Sequence, residues 1–128
     1  MNTPTYYQDV LLDHYKNPRN RGSLEKPDLK SSSHNPSCGD TILLEALVEN
    51  NTIVRAVFTG AGCVISQATA SQLTCFMLQK PLIELEKVTA QDILALVGIE
   101  LGPLRARCAL LSLEALQEAI KVYKKNHA

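Results

Sequence analysis

The sequence carries no surplus of charge of either sign, since 13 basic residues offset 13 acidic ones among 128 positions. That balance leaves no electrostatic footprint for nucleic acid or for an anionic membrane. Long apolar runs are also missing, and no stretch reaches the roughly 18 residues of a membrane-spanning helix. The opening Met1-Asn2-Thr3-Pro4-Thr5-Tyr6-Tyr7 lacks a basic start followed by an apolar segment, so no secretory leader is read there and a cytoplasmic location is expected. Internal repeats and low-complexity tracts are absent. The 45% hydrophobic and 20% charged content is that of a globular protein, and the length predicts one domain over residues 1–128 with a core of its own.

Cysteines are few, and a familiar spacing is absent. Four occur, at positions 38, 63, 75 and 108, with no Cys-x-x-Cys pair among them. This removes the ordinary zinc-finger and thioredoxin-like arrangements. Without a leader, the thiols are expected to stay reduced rather than form disulfides. Two readings remain: scattered core cysteines, or one site assembled from distant loops.

What is present predicts helices around a small sheet. Thr3 and Pro4 open a first helix that should stop near Asn17, because Pro18 disfavours helical geometry before it. The segment from Pro18 to Pro36 reads as an extended connection wrapping the domain. Thr41 to Val48 and Ile53 to Thr59 flank the polar turn Glu49-Asn50-Asn51-Thr52, the clearest hairpin in the chain. A third strand is expected from the region 24 to 33, since an isolated hairpin is marginal. From Val64 the period becomes helical, with Val64, Ala68, Ser71, Cys75 and Leu78 on one stripe before Pro81. Thr89 and Asp92 resemble a capping box for a short helix ending before Gly98. The last helix is expected from Pro103 or Leu104, with Ala109, Leu113, Leu116, Ile120 and Tyr123 on its apolar face.

Three cysteines sit where loops meet regular structure. Cys38-Gly39-Asp40 precedes the first hairpin strand, and its glycine permits a turn that points a thiolate and a carboxylate inward together. Gly60-Ala61-Gly62-Cys63 joins the second strand to the next helix, where unpaired N–H groups and the helix dipole favour an anionic sulfur. Cys108, flanked by Arg105 and Arg107, is placed about one turn into the last helix, again near an N-terminus. Each alone has an ordinary structural explanation. Together Cys38, Asp40, Cys63 and Cys108 make a four-ligand set suited to tetrahedral zinc or to a small iron–sulfur cluster with one oxygen ligand. Cys75 lies about 18 Å along the same helix from Cys63 by helical rise. It is read as a core cysteine. His34 is read as an exposed loop residue, and His14 and His127 give less reason for a metal role.

At this point the residues resemble a known family, the NifU-like scaffolds that include IscU and SufU. The run His14-Tyr15-Lys16-Asn17-Pro18-Arg19-Asn20-Arg21-Gly22 is similar to the family's His-Tyr-x-Asn-Pro-Arg-Asn-x-Gly signature. Asn35-Pro36-Ser37-Cys38-Gly39-Asp40, Gly60-Ala61-Gly62-Cys63-Val64-Ile65-Ser66 and Arg107-Cys108-Ala109-Leu110-Leu111 resemble the segments bearing its three cysteines. The resemblance implies an α+β domain with a three-stranded antiparallel sheet, helices packed on one side, an N-terminal helix and a long C-terminal helix. It also implies that Cys38, Asp40, Cys63 and Cys108 meet at one exposed end.

Two departures bear on the branch. Arg107 stands where IscU proteins carry a metal-binding histidine; a guanidinium cannot ligate, so Asp40 is expected to complete the set. SufU proteins resemble this chain there. Leu101-Gly102-Pro103-Leu104-Arg105 is only loosely similar to the segment IscU offers to an Hsp70-type chaperone, which argues against that handover. The spacing from Cys63 to Cys108 is too short for the insertion usual in SufU.

The resemblance implies a scaffold that takes persulfide sulfur from a pyridoxal-phosphate cysteine desulfurase, with Cys38 or Cys108 as acceptor. It would hold a transient 2Fe-2S cluster and pass it to acceptor or carrier proteins, without being an enzyme by itself. A zinc-bound sulfur relay that stimulates the desulfurase is the alternative. A structural zinc site is a third reading. A zinc hydrolase ranks last, because a closed four-ligand site leaves no position for water.

Overall fold

The computed structural model describes residues 3–37 and 39–127. Helix α1 spans Thr3–Lys16, and strands β1, β2 and β3 span Leu29–Asn35, Asp40–Glu49 and Thr52–Ala61. Helices α2 (Val64–Met77), α3 (Leu82–Leu85), α4 (Ala90–Val97), α5 (Pro103–Ala109) and α6 (Leu111–Asn126) follow. The fold is α+β.

The strands form one antiparallel sheet in the order β1-β2-β3. The turn between β2 and β3 is set by Asn50 and Asn51, with φ of 53° and 59°; asparagine tolerates this left-handed region better than most residues. Register is fixed by alternation: Ile42, Leu44 and Ala46 of β2 and Ala56 and Phe58 of β3 turn to one face and are buried. That face packs against α2 and α6, joining Leu73, Met77, Leu116 and Ile120 in the principal apolar cluster. The residues after Pro18 wrap the sheet as expected. Asn20 and Gly22 bracket Phe58 with backbone hydrogen bonds of 3.0 and 2.9 Å, and the Leu24 N–H donates to Glu45 Oε1 at 3.2 Å, on a carboxylate that is otherwise buried.

Helix α4 starts at the Thr89–Asp92 capping box and ends at Gly98 with φ of 75°. Two sequence expectations are corrected, and one element was not expected. The last helix does not run from Pro103: it breaks at Leu110, whose φ and ψ are −89° and −1°, so that α5 packs Cys108 and Ala109 on α2 and α4 residues while α6 returns along the sheet. A short extra helix, α3, follows Pro81. Cys75 is exposed rather than in the core. Its side of α2 faces α1, not the sheet; α1 and the turn after it cover Ser71, through His14 Nδ1 and the Arg19 N–H, both at 2.8 Å from Ser71 Oγ. Further along, Cys75 opens onto a groove beside Tyr6, Tyr7 and Phe76. Helix α2 is therefore buried on nearly every side, polar residues included.

Candidate metal and sulfur site

Three elements converge at the N-terminal end of α2. Asp40 opens β2, Cys63 closes the β3–α2 turn, and Cys108 lies in the last turn of α5. One carboxylate oxygen and the two sulfurs lie within 4.8 Å of one another. Cys38, the remaining member of the expected set, lies outside the described residues.

Cys63 takes its place because it is the N-cap of α2. Its backbone is extended, at φ −76° and ψ 169°, and its sulfur accepts the Ser66 N–H at 3.5 Å, a task more often given to a side-chain oxygen. The Ser66 hydroxyl donates to the Cys63 carbonyl at 3.2 Å. Gly62, with φ of 148°, admits the carboxylate from the other side: a Cβ there would lie 2.5 Å from Asp40 Cγ. The Cys63 N–H then donates to Asp40 Oδ1 at 3.2 Å. Gly39 supplies the other special turn, at φ 72°.

Asp40 is 2% exposed. Burial by itself raises its pKa, but hydrogen bonds from Cys63, Ser66 and Cys108, together with the Cys63 backbone N–H, outweigh it and hold the carboxyl below its ordinary 3.8. Its second oxygen, Oδ2, is buried with no hydrogen-bond partner among the described residues. An anionic oxygen left without a donor beside two sulfurs fits a cation as its missing partner. The donor set of thiolates with one carboxylate fits zinc or thiolate-bound iron.

Cys108 is buried at 3% exposure, and the expected N-terminal helix position is corrected: it sits near the C-terminal end of the seven-residue α5. Its polar support comes instead from Asn35, whose Nδ2 donates to Cys108 Sγ at 3.9 Å while its Oδ1 accepts the Ser37 N–H at 3.1 Å. Asn35 and Ser66 were missed as site residues. The signals were the Asn-Pro turn before Cys38 and a serine three positions past the cap. Arg105 and Arg107 are exposed. None of the histidines joins the group: His14 bonds Ser71, His34 pairs opposite Thr41 on the edge strand, and His127 lies at 2.9 Å from the Tyr123 carbonyl.

Residues 6–128 match the family model described as the NifU-like N terminal domain. The zinc-dependent sulfurtransferase SufU of Bacillus subtilis is 35% identical, over 93% of this chain and 92% of its own. The iron-sulfur cluster assembly scaffold protein IscU of Haemophilus influenzae is 34% identical, over 92% of this chain and 95% of its own. Among solved structures, a SUF-system scaffold protein from Fervidobacterium islandicum AW-1 superposes with a TM-score of 0.73 at 26% identity, covering 88% of this chain and 94% of that one. Among the described residues no helix is long and apolar enough to cross a membrane.

Proposed function

The chain belongs to the NifU-like N-terminal domain family, and on that premise we propose that it is a scaffold for iron–sulfur cluster assembly. In this reading a pyridoxal-phosphate cysteine desulfurase in the cytoplasm supplies persulfide sulfur to Cys38 or Cys108. Cys38, Asp40, Cys63 and Cys108 hold the growing 2Fe-2S cargo, and acceptor or carrier proteins take it away. The supporting observation is the convergence of Asp40, Cys63 and Cys108 within 4.8 Å, with one buried carboxylate oxygen lacking a partner among the described residues. Thiolates hold iron firmly and a carboxylate less so, which suits a cargo that must leave. The hydrogen bonds from Ser66 and Asn35 orient the two sulfurs in advance. The test is anaerobic incubation with a desulfurase, cysteine, iron and reductant. Cluster absorbance should grow, and a folded chain that gathers none would sink the proposal.

A second reading is favoured by Arg107, a non-ligating cation directly before Cys108, and by the likeness to the zinc-dependent sulfurtransferase. Here zinc holds the thiolates and the chain relays sulfur while stimulating the desulfurase. Desulfurase turnover decides between them: the relay requires marked acceleration that Cys38→Ala abolishes, whereas a passive scaffold leaves turnover near its basal rate.

A further inference from the structure

A cleft of about 470 Å³ opens between the end of α1 and the β3–α2 turn, with Lys16, Arg21, Gly60, Gly62 and Gln67 among its walls. Among the described residues its walls carry two cations and no acidic side chain. Lys16 makes no ion pair among the described residues. The Arg21 guanidinium donates to the Gly60 carbonyl at 2.9 Å and lies 5.6 Å from the Phe58 ring centroid, so it is held in place with no ion pair among the described residues. Gln67 is only 7% exposed; its Nε2 donates to Ser66 Oγ at 3.1 Å, yet its Oε1 has no partner among the described residues.

These features ask for a ligand with two properties. The cations call for an anion, and a carboxylate suits a Lys–Arg pair. The unpartnered amide oxygen calls for an N–H donor, which an amino acid or small peptide brings and an inorganic oxyanion largely lacks. Gly62, the residue before Cys63, is among the cleft's walls, and Gln67 holds the same Ser66 whose N–H reaches the Cys63 sulfur. We propose that this cleft is a subsite for a small thiol of amino-acid or peptide type, or its disulfide, which exchanges sulfur with the exposed Cys63.

With the disulfide, the Cys63 thiolate attacks one ligand sulfur. A Cys63–ligand disulfide forms, the ligand's own S–S bond breaks, and the other half departs as thiolate; the ligand disulfide is the oxidant. If the outer sulfur of a persulfide on Cys38 or Cys108, which rests on the sulfur-accepting reading above, is first passed to the Cys63 thiolate, releasing the Cys38 or Cys108 thiolate, the ligand thiolate then attacks that outer sulfur on Cys63. Ligand persulfide and Cys63 thiolate are then the products, with no net oxidation.

The test uses the full, metal-free chain and three reagents: glutathione disulfide, dithiodipropionate and hydroxyethyl disulfide. Peptide mass mapping reads Cys63 against Cys75, an exposed thiol on the same helix outside the cleft. The Cys63-to-Cys75 rate ratio should be roughly tenfold higher with glutathione disulfide than with the neutral reagent, should saturate, and should fall as salt rises. Lys16→Gln combined with Arg21→Gln should bring the two reagents together. Gln67→Leu should lower the ratio for glutathione disulfide but not for dithiodipropionate, which has no N–H. Equal ratios for charged and neutral reagents, or a preference that survives the double substitution, would overturn the proposal. So would equal protection of Cys63 by inorganic phosphate and by S-methylglutathione, which would mark a general anion patch. No desulfurase or iron is involved, so failure here leaves the scaffold reading untouched, and failed cluster assembly leaves this one untouched.

Discussion

Two apolar clusters support the molecule, and they do different work. The larger joins the inner face of the sheet to α2 and α6 through Ile42, Leu44, Phe58, Leu73 and Leu116, and contains none of Asp40, Cys63 and Cys108 among the described residues. The smaller draws Leu11, Ile65, Ala68, Val97 and Ala109 from four helices around Cys108, which is itself a member. One cluster closes the fold. The other sets where a ligand sulfur lies relative to Cys63 and Asp40. Stability and site geometry are thus partly separable, and substitutions can pull them apart.

The largest effect is expected from Leu73→Ala. Leu73 is fully buried against the sheet, and the cavity should cost about 2–5 kcal/mol in urea unfolding. Metal affinity of the molecules that remain folded should hardly change. Leu11→Ala, in the smaller cluster, should cost less, about 2 kcal/mol, while lowering zinc or cobalt affinity in the folded state. Unchanged affinity in that variant would show that the smaller cluster does not position the site.

Asp40→Asn should leave the fold intact at neutral pH and weaken metal binding by roughly tenfold or more, by analogy with the loss of groups supporting a metal site. It should also alter the acid limb of stability. Because the folded carboxyl is held below 3.8, the native state favours its charged form; that contribution is present above 3.8 and is lost as pH falls through the folded value. The Asp40→Asn variant should therefore show a shallower fall in urea midpoint at acid pH. Conversely, His14 has its pKa lowered from 6.5, first by burial and then by the Arg19 charge, with Asp13 opposing. The unfolded chain binds its proton first, so stability should decline as pH drops below about 6.5, and His14→Asn should flatten that slope. Cys75→Ser is the smallest change. At an exposed groove position it should alter stability by no more than about 0.5 kcal/mol and leave cluster assembly in place.

Much of this architecture was legible because its signals are local. The Asn50-Asn51 turn, the Thr89–Asp92 box, the stop before Pro18 and the change of period at Val64 each act within a few residues, where dihedral preference and capping decide the outcome. The places of Asp40 and Cys63 at the boundaries of regular elements were legible for the same reason. Asn35 and Ser66 were harder, since a buried amide or hydroxyl declares its role only through the group it faces.

Other features were decided by tertiary packing alone. A helical stripe says that Ser71 and Cys75 share a face, not what covers it; α1 and the following turn shield Ser71 and leave Cys75 beside an open groove. Apolar spacing runs through Leu110 without interruption, yet the chain bends there because Cys108 and Leu111 belong to different clusters. The sequence by itself determined which residues carry thiolate and carboxylate chemistry and which elements bear them. Only the folded chain brought Asp40, Cys63 and Cys108 to within 4.8 Å, because that distance depends on how β2, α2 and α5 pack against one another, which short-range preferences do not encode.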